Sequence, residues 1–178
     1  MRRCVSLCAL LLALHAAGCS SLTVNSDWDR DAPFETFQTF QWKPVRAGAE
    51  GGAMTELIQK RVERSAVMYL GDAGLKEATT DPDLLVVAHL GVADKVNVTD
   101  WGYSYSRDYW GYGGRNIDVY TYQEGTLIID LIEAESTELV WRGWATKVVD
   151  GKSSPEQVDQ EVDRVVAAIL SRYPPPPR

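Results

Sequence analysis

The segments Thr126-Leu-Ile-Ile-Asp-Leu-Ile132 and Leu139-Val-Trp-Arg-Gly-Trp-Ala-Thr-Lys-Val-Val149 decide the fold of this chain. Both are rich in the β-branched and aromatic residues that favour strands, and the polar segment Glu133–Thr137 between them is typical of a turn. The pattern therefore predicts a β-hairpin. Asp130 and Arg142 lie on its two strands, and a cross-strand ion pair is the simplest interpretation of them.

Strand patterns also occur on the N-terminal side of this hairpin. Phe34–Trp42 alternates aromatic residues with threonine and glutamine, which predicts a strand that Pro44 ends. Leu84–Val98 is apolar at almost every second position, which predicts a long strand with one buried face. Ser20–Asp31 is predicted to be a polar tether that runs into a first extended segment.

Two helices complete the pattern. Met54–Ala73 has apolar residues at helical spacing and is followed by Gly74, a residue typical of the position after a helix end. Ser154-Pro-Glu-Gln157 is a capping box that opens a second helix, and the prolines from residue 174 onwards end it. The predicted order is β-β-α-β-β-β-α. Two helices can cover one face of a sheet, so the sequence predicts an α+β two-layer sandwich, a largely antiparallel sheet of about five strands with two helices on one face.

The N-terminal segment has the organisation of a secretory signal. Arg2 and Arg3 form a positive region, residues 5–17 are apolar, and small residues stand directly before Cys19. The apolar run is too short for a comfortable membrane span. A cysteine at this place resembles the lipobox of bacterial lipoproteins, although Ala16 stands where the usual lipobox has leucine. The resemblance implies cleavage before Cys19, a diacylglycerol on its sulfur and an acyl group on its amine.

These observations divide the chain into four predicted parts. Residues 1–18 form a lipoprotein signal peptide, and residues 19–31 form the lipidated tether and the start of the first strand. Residues 32–173 form a single α+β domain, a length suited to one hydrophobic core. Residues 174–178 form a proline-rich tail.

Charge and composition exclude several classes of function. The chain carries a net charge of −7 and becomes more acidic when the signal peptide leaves, which disfavours nucleic acid and anionic lipid surfaces. Attachment to a membrane is therefore expected through the N-terminal lipid, because two or more acyl chains suffice for stable anchoring. Cys4 and Cys8 leave with the signal peptide, and His89 is the histidine that stays. No disulfide, metal site or cofactor is predicted from the cysteine and histidine residues that remain.

Residues 101–122 form an insert in which tyrosine, tryptophan and glycine dominate. Tyrosine and tryptophan combine an apolar body with a polar tip, which suits partly hydrated contact surfaces. The insert is therefore a candidate surface for a glycan, a protein partner or lipid headgroups. The competing interpretation is a long hairpin whose aromatic residues pack on their own sheet. The candidate contact residues are Trp101, Tyr103, Tyr105, Tyr109, Trp110 and Tyr112.

Residues that carry chemistry elsewhere do not assemble into a catalytic or metal-binding pattern. Neither the nucleophile motif G-x-S-x-G nor a phosphate-binding glycine loop occurs. Asp27–Asp31 begins like a calcium loop, but Ala32 and Gln38 stand where glycine and a bidentate glutamate are needed, so a solvated acidic face is expected. The alternate neighbours of His89 on its strand are apolar or glycine, so we expect a structural histidine without a nearby acid. No catalytic residue is predicted.

Three stretches carry a family resemblance, and the Gly125–Gly143 block is the most specific of them. Together with Phe34–Trp42, the final helix that ends in Tyr173-Pro174-Pro175, and the signal sequence, it resembles the domain-of-unknown-function 4136 family of bacterial lipoproteins. The resemblance implies a Gram-negative cell envelope and supplies no activity. Ser20 after the lipid-bearing cysteine implies sorting to the outer membrane.

The expected function is that of an outer-membrane-anchored, periplasm-facing lipoprotein, a non-enzymatic envelope structural or assembly accessory that binds an envelope protein or glycan. A ligand-binding module for glycan, peptidoglycan or lipid that uses the Tyr/Trp-rich insert is the alternative. An envelope hydrolase that relies on carboxylates is a third and weaker hypothesis.

Overall fold

The computed structural model describes residues 22–44, 54–100, 117–149 and 153–176, with side chains left out at 96–100 and 117–120. Its elements follow the predicted order, with one additional short strand. They are β1 Thr23–Trp28, β2 Thr39–Trp42, α1 Glu56–Asp72, β3 Lys76–Glu77, β4 Leu84–Asp100, β5 Ile117–Glu133, β6 Leu139–Val149 and α2 Pro155–Leu170. Among these residues, neither helix has the length and apolar character needed to cross a membrane.

The strands form one mixed sheet in the order β1-β6-β5-β4-β2-β3. The pairs β1–β6, β6–β5 and β5–β4 are antiparallel, whereas β2 runs parallel to both β4 and β3. The predicted α+β two-layer sandwich is confirmed, with six strands in place of five. The parallel pairing arises because α1 carries the chain from β2 across to β4, and such crossovers join parallel strands.

Asp83 fixes the junction between β2 and β4. Its carboxylate accepts hydrogen bonds from the backbone N–H groups of Gln38 and Thr39, each at 2.9 Å, and from the Thr39 hydroxyl at 2.8 Å. The Thr39 hydroxyl oxygen in turn accepts from the Asp83 backbone N–H at 3.0 Å. The hydrogen bond from Gln38, followed by those from Thr39, lowers the pKa of the Asp83 carboxyl. This reciprocal network holds the parallel register at its first residues.

Local signals set the helix ends. Ser154 and Gln157 form the predicted capping box at the start of α2, with Pro155 in its first turn. Thr55 caps α1, its hydroxyl accepting from the Ile58 backbone N–H. Gly74 follows α1 with a φ of 95°, a conformation that favours glycine, so its predicted role at the helix end is confirmed.

The N-terminal part of the chain differs from the sequence-based expectation. Thr23–Trp28, within the segment predicted to hold the tether and the start of the first strand, is the edge strand β1 and pairs with β6. Only Thr39–Trp42 of the predicted strand Phe34–Trp42 is a strand. Phe34 instead makes edge-to-face contacts with Phe37 and Tyr173, with ring centroids 5.9 and 6.1 Å apart. The aromatic residues of this segment therefore pack against the end of the core. Their spacing in the sequence imitates the period of a strand.

The helices pack side by side on one face of the sheet. Ser65 on α1 donates to Asp163 on α2 at 2.9 Å, and Arg64 pairs with Asp159. The core lies between this layer and the sheet, and it includes Trp42 and Trp141, at 7% and 0% exposure. The largest fully buried side chains are Trp141, Phe40, Leu70, Leu84, Ile129, Leu131, Ile169, Val62, Val86 and Val166.

Candidate contact surfaces

The sheet has a second face, which points away from the helices and is called the open face here. Side chains on the central strands alternate between the core and this surface, as the strand period requires. The open face is largely apolar although neither helix covers it, and its leucine, valine, isoleucine and tryptophan side chains are half-buried. Its central residues are Leu85, Val87, His89, Ile128, Asp130, Ile132, Arg142 and Trp144.

An ion pair lies at the centre of the open face. Asp130 and Arg142 are direct partners across β5 and β6, and Arg142 donates from Nε and Nη2 to the two carboxylate oxygens, each at 2.7 Å. The predicted cross-strand pair is therefore confirmed, with bidentate geometry. The Asp130 residue is only 4% exposed, and its hydrogen bonds raise the pKa of the Arg142 guanidinium. A carboxylate this buried needs a fixed partner, because an unpaired charge is costly away from water.

His89 contacts this pair, so the expectation that it has no nearby acid is wrong. Its Nε2 lies 3.9 Å from Oδ2 of Asp130. Ile128 is the direct cross-strand partner of His89, and Asp130 stands diagonally two residues further along β5. Such diagonal neighbours lie within reach of long side chains but are invisible in the alternation of a single strand. His89, Asp130 and Arg142 form one polar cluster within an apolar surface.

Beside this cluster the surface has a shallow depression of about 800 Å³. Arg142 and Trp144 contribute to its lining, and the exposed Asp27, Asp29 and Glu138 make its border acidic. Asp27 and Asp29 belong to the stretch that begins like a calcium loop, and the expected solvated acidic face is confirmed by their exposure. Within the described parts of the chain, no group of three or more His, Cys, Asp or Glu residues could hold a metal ion.

Trp141 and Gly143 show why the most specific sequence block is a packing motif. The Trp141 ring lies against Gly143, two residues along the same face, and meets Tyr173 edge to face at 5.7 Å between centroids. A methyl group on Gly143 would clash with this ring and would lie 2.6 Å from Cγ2 of Ile169 on α2. The absence of a side chain at residue 143 thus lets the indole and α2 approach the sheet together.

A two-stranded arm extends from the sheet beyond β6. The last residue of β6, Val149, pairs with Gln123, whereas β4 and β5 continue to pair from Lys95–Tyr122 to Asp100–Ile117. These six further pairs give the arm a length of about 17–20 Å at the usual rise per residue. Ile117–Tyr122, the last part of the predicted insert, belongs to β5. Strand pairing with β4 overrides the low-complexity composition at this end of the insert.

The remaining predicted site residues lie outside the described residues. These are Cys19 and the candidate contact residues Trp101, Tyr103, Tyr105, Tyr109, Trp110 and Tyr112. The structure describes Asp100 and Ile117, the residues on either side of 101–116, and these two are strand partners. The open face, by contrast, was not predicted as a contact surface. The available signal was the apolar character of both alternating sets in Leu84–Leu90, which indicates a strand with two partly buried faces.

The sequence profile of the domain-of-unknown-function family DUF4136 matches residues 24–175. The chain belongs to the DUF4136 family. The match begins within β1 and ends beyond α2, so it covers the whole described domain. Comparison with curated proteins gives no match.

Comparison of the DUF4136 domain with solved structures gives several matches. A PDZ domain protein from Parabacteroides distasonis is similar over 97% of this chain, with 12% identity and a TM-score of 0.59. The chain spans 41% of that protein's length, and the likeness shows the fold alone. The PelC dodecamer from Paraburkholderia phytofirmans is similar over 84% of this chain and 95% of its own, with 14% identity and a TM-score of 0.48. A neuraminyllactose-binding hemagglutinin homolog from Helicobacter pylori covers 83% of this chain and 88% of its own, with 12% identity and a TM-score of 0.39.

Proposed function

We propose that this DUF4136 protein is a lipid-anchored, non-enzymatic accessory of the Gram-negative envelope, attached at Cys19 to the periplasmic side of the outer membrane, and that it works by binding a protein partner through the open face. The observation that carries the binding role is the open face itself. Apolar side chains surround the Asp130–Arg142 pair on the side of the sheet away from both helices. Contiguous apolar surface of this kind marks interaction sites in soluble domains.

The composition of the open face supports a protein partner. Tryptophan and arginine dominate the energetically important positions of protein interfaces, and Trp144 and Arg142 stand side by side in space at the depression. Arg142 is already held by Asp130, so a partner would meet a pre-ordered guanidinium with less entropy to lose. The acidic border formed by Asp27, Asp29 and Glu138 favours a partner with a basic rim.

Site-specific crosslinking tests the binding role. A photoreactive phenylalanine at residue 89 would lie on the open face, where the His89 side chain is 48% exposed. The matched control is the same probe at Leu57 on α1, which is 66% exposed on the helical side. In intact envelopes we expect the probe at residue 89 to form one discrete adduct that the probe at residue 57 does not form. Identical adduct patterns at the two positions, or no adduct at residue 89, would contradict the proposal.

Membrane fractionation tests the anchor separately. Cys19→Ala removes the lipidated sulfur, and we expect the protein to leave the detergent-extractable membrane fraction because its negative charge offers no second membrane signal. Cys8→Ala is the matched control, since this cysteine would leave with the signal peptide, and it should stay membrane-bound. Retention of the Cys19→Ala protein on membranes at high salt would show that something other than the lipid holds it.

The arm favours a second candidate function, in which the insert binds a glycan, peptidoglycan or lipid. Paired strands hold Asp100 and Ile117 together at the end of the arm, and these two residues flank the aromatic residues 101–116 in the sequence. Trp110→Ala should then leave the denaturation midpoint nearly unchanged and weaken capture of peptidoglycan or an envelope glycan by about 2 kcal/mol, the size of an aromatic hot spot. Lost stability with unchanged capture would instead identify the insert as a packed hairpin.

A further inference from the structure

A narrow cleft of about 320 Å³ opens where the two helices meet the end of the sheet nearest the arm. It is distinct from the open face, because it lies in the layer between the helices and the strands. Side chains from both helices and from β4, β5 and β6 contribute to its walls. The lining residues are Leu22, Ile58, Leu90, Val92, Gly125, Leu127, Ala145, Lys147, Val148, Val149, Ser153, Val158, Glu161, Val162 and Val165.

The chemistry of the lining selects an aliphatic occupant. Twelve of the fifteen lining residues are aliphatic or glycine, and none is aromatic. The three polar residues already have partners within the protein: Lys147 pairs with Glu161 at 2.6 Å, and Ser153 also makes an interaction. A peptide or a sugar would have to give up hydrogen bonds to water without replacement in such a cleft, at a cost of several kcal/mol. A hydrocarbon chain has no polar group to satisfy.

The size of the cleft points to a single chain. Its volume is at the lower end of the range of small-molecule pockets, about 300–1,000 Å³. Val92, Val148 and Val149 are 40%, 47% and 41% exposed, so part of its border presents apolar surface to solvent. The Lys147–Glu161 pair supplies polar groups on the lining. An apolar cleft with a charged pair in its lining matches a ligand that has a hydrocarbon tail and a polar head.

The position of the cleft in the chain identifies the source of that ligand. Leu22 lines the cleft, and Cys19 precedes it by three residues, which can span at most about 11 Å when extended. If Cys19 carries the lipid anchor, as the proposed function holds, the cleft lies next to the membrane surface. Phospholipid acyl chains are then the hydrocarbon at the highest local concentration.

We propose that this cleft binds one acyl chain of a membrane phospholipid, with the tail between α1, α2 and the sheet and the headgroup outside near Lys147. The site is a lipid-binding site additional to the covalent anchor. Its choice of membrane phospholipid rests on the proposed anchoring at Cys19, whereas its capacity to hold an acyl chain rests on the cleft alone. The two can therefore fail independently.

The test uses the complete mature chain with Cys19→Ala and a lysophosphatidylcholine that carries a diazirine in its acyl chain, kept below its micelle concentration. We expect photolabelling of peptides from α2 and β6, suppressed by unlabelled lysophosphatidylcholine and unaffected by glycerophosphocholine, which has the headgroup without the tail. Labelling that is spread evenly over the chain, or that glycerophosphocholine suppresses equally, would overturn the proposal. Because this experiment uses a protein without the lipid anchor, a negative result does not bear on lipidation.

Val158→Phe provides the matched variant. Val158 is a half-buried residue on α2 that lines the cleft, so a phenyl ring there should fill it and reduce labelling at least tenfold. Met68→Phe places the same ring on an exposed position of α1 outside the cleft, where Met68 is 49% exposed, and should leave the labelling unchanged. Equal labelling of the two variants would contradict the proposal. If Val158→Phe lowers the midpoint of thermal unfolding, the proposal is still tested by the two competitors of the probe, unlabelled lysophosphatidylcholine and glycerophosphocholine.

The lipidated protein in phosphatidylcholine vesicles tests the membrane source. A double-chain phosphatidylcholine with the diazirine in one acyl chain should label the same cleft peptides, and Val158→Phe should reduce that labelling while the protein still floats with the vesicles. Labelling with the soluble probe but not in vesicles would overturn the membrane assignment. A Cys19-dependent loss of flotation alone would report on the anchor and not on the cleft.

Discussion

Trp141 and Trp144 lie three residues apart on β6 and point to opposite faces of the same strand. Trp141 is fully buried against Tyr173 and Gly143, whereas Trp144 is half-buried beside the depression of the open face. This difference shows that one strand contributes to the centre of the core and also to the centre of a contact surface. Residue type does not distinguish these roles, and side-chain direction does.

The two faces also treat polar groups differently. On the core side, the Nε1 atoms of Trp42 and Trp141 are buried without a hydrogen-bond partner within the described residues. On the open face, the buried carboxylate of Asp130 receives two hydrogen bonds from Arg142 and lies close to His89. A neutral indole N–H is far cheaper to leave unpaired than a carboxylate. The core tolerates this cost, and the open face pairs its buried charge.

Trp141→Ala should produce the largest loss of stability in the molecule. Removing a fully buried indole leaves a cavity between the sheet, Tyr173 and α2, and such changes cost about 3–5 kcal/mol. Chemical denaturation with tryptophan-independent detection, such as far-ultraviolet circular dichroism, measures it. An unchanged midpoint would mean that this indole does not support the core.

Gly143→Ala tests the same face from the opposite direction, by adding volume. The new methyl group would meet the Trp141 ring and Ile169, and overpacking of this kind costs about 1–3 kcal/mol. Gly91→Ala is the control, because no atom lies within 4 Å of the position its Cβ would take. Equal midpoints for the two variants would show that α2 does not approach the sheet as closely as described.

Arg142→Gln should weaken the open face without disturbing the core. It leaves the Asp130 carboxylate with a poorer partner, and we expect a loss of about 1–2 kcal/mol because the Arg142 side chain is 44% exposed and solvent compensates in part. A double-mutant cycle with Asp130→Asn measures the coupling. Strictly additive effects of the two substitutions would show that the pair contributes nothing.

Asp83→Asn probes a junction that belongs to neither face and should cost about 1 kcal/mol at neutral pH. Hydrogen bonds from Gln38 and Thr39 lower the pKa of this carboxyl in the folded protein. Its contribution to stability is therefore complete above the unfolded-state pKa and is lost as the pH falls through the folded-state value. As the pH falls below the unfolded-state pKa of about 4, the variant should lose less stability than the parent protein, and parallel curves would contradict this role.

Local chemistry in the sequence predicts the parts of the fold that depend on neighbours along the chain. Ser154 and Gln157 predicted the start of α2, and Gly74 predicted the end of α1. The Asp130–Arg142 pair was also predictable, because a hairpin with a short turn brings nearby segments together.

The features that sequence analysis missed all depend on contacts between distant segments. β1 pairs with β6 across more than one hundred residues, and β2 pairs with β4 only because α1 crosses between them. His89 reaches Asp130 on a diagonal, and the apolar cleft draws its walls from both helices and several strands. None of these residues carries a local pattern that specifies its partner, so the pattern of a single segment cannot reveal them.

The most direct test of the division between the two faces is Trp144→Ala, with stability measured on the purified variant and crosslinking of the same variant measured in intact envelopes. We predict a change in unfolding free energy below about 1 kcal/mol, because Trp144 is half-buried on the open face, together with loss of the discrete crosslinked adduct formed by the probe at residue 89. A stability loss as large as that of Trp141→Ala, with the adduct retained, would contradict the account and make the open face a second packing surface.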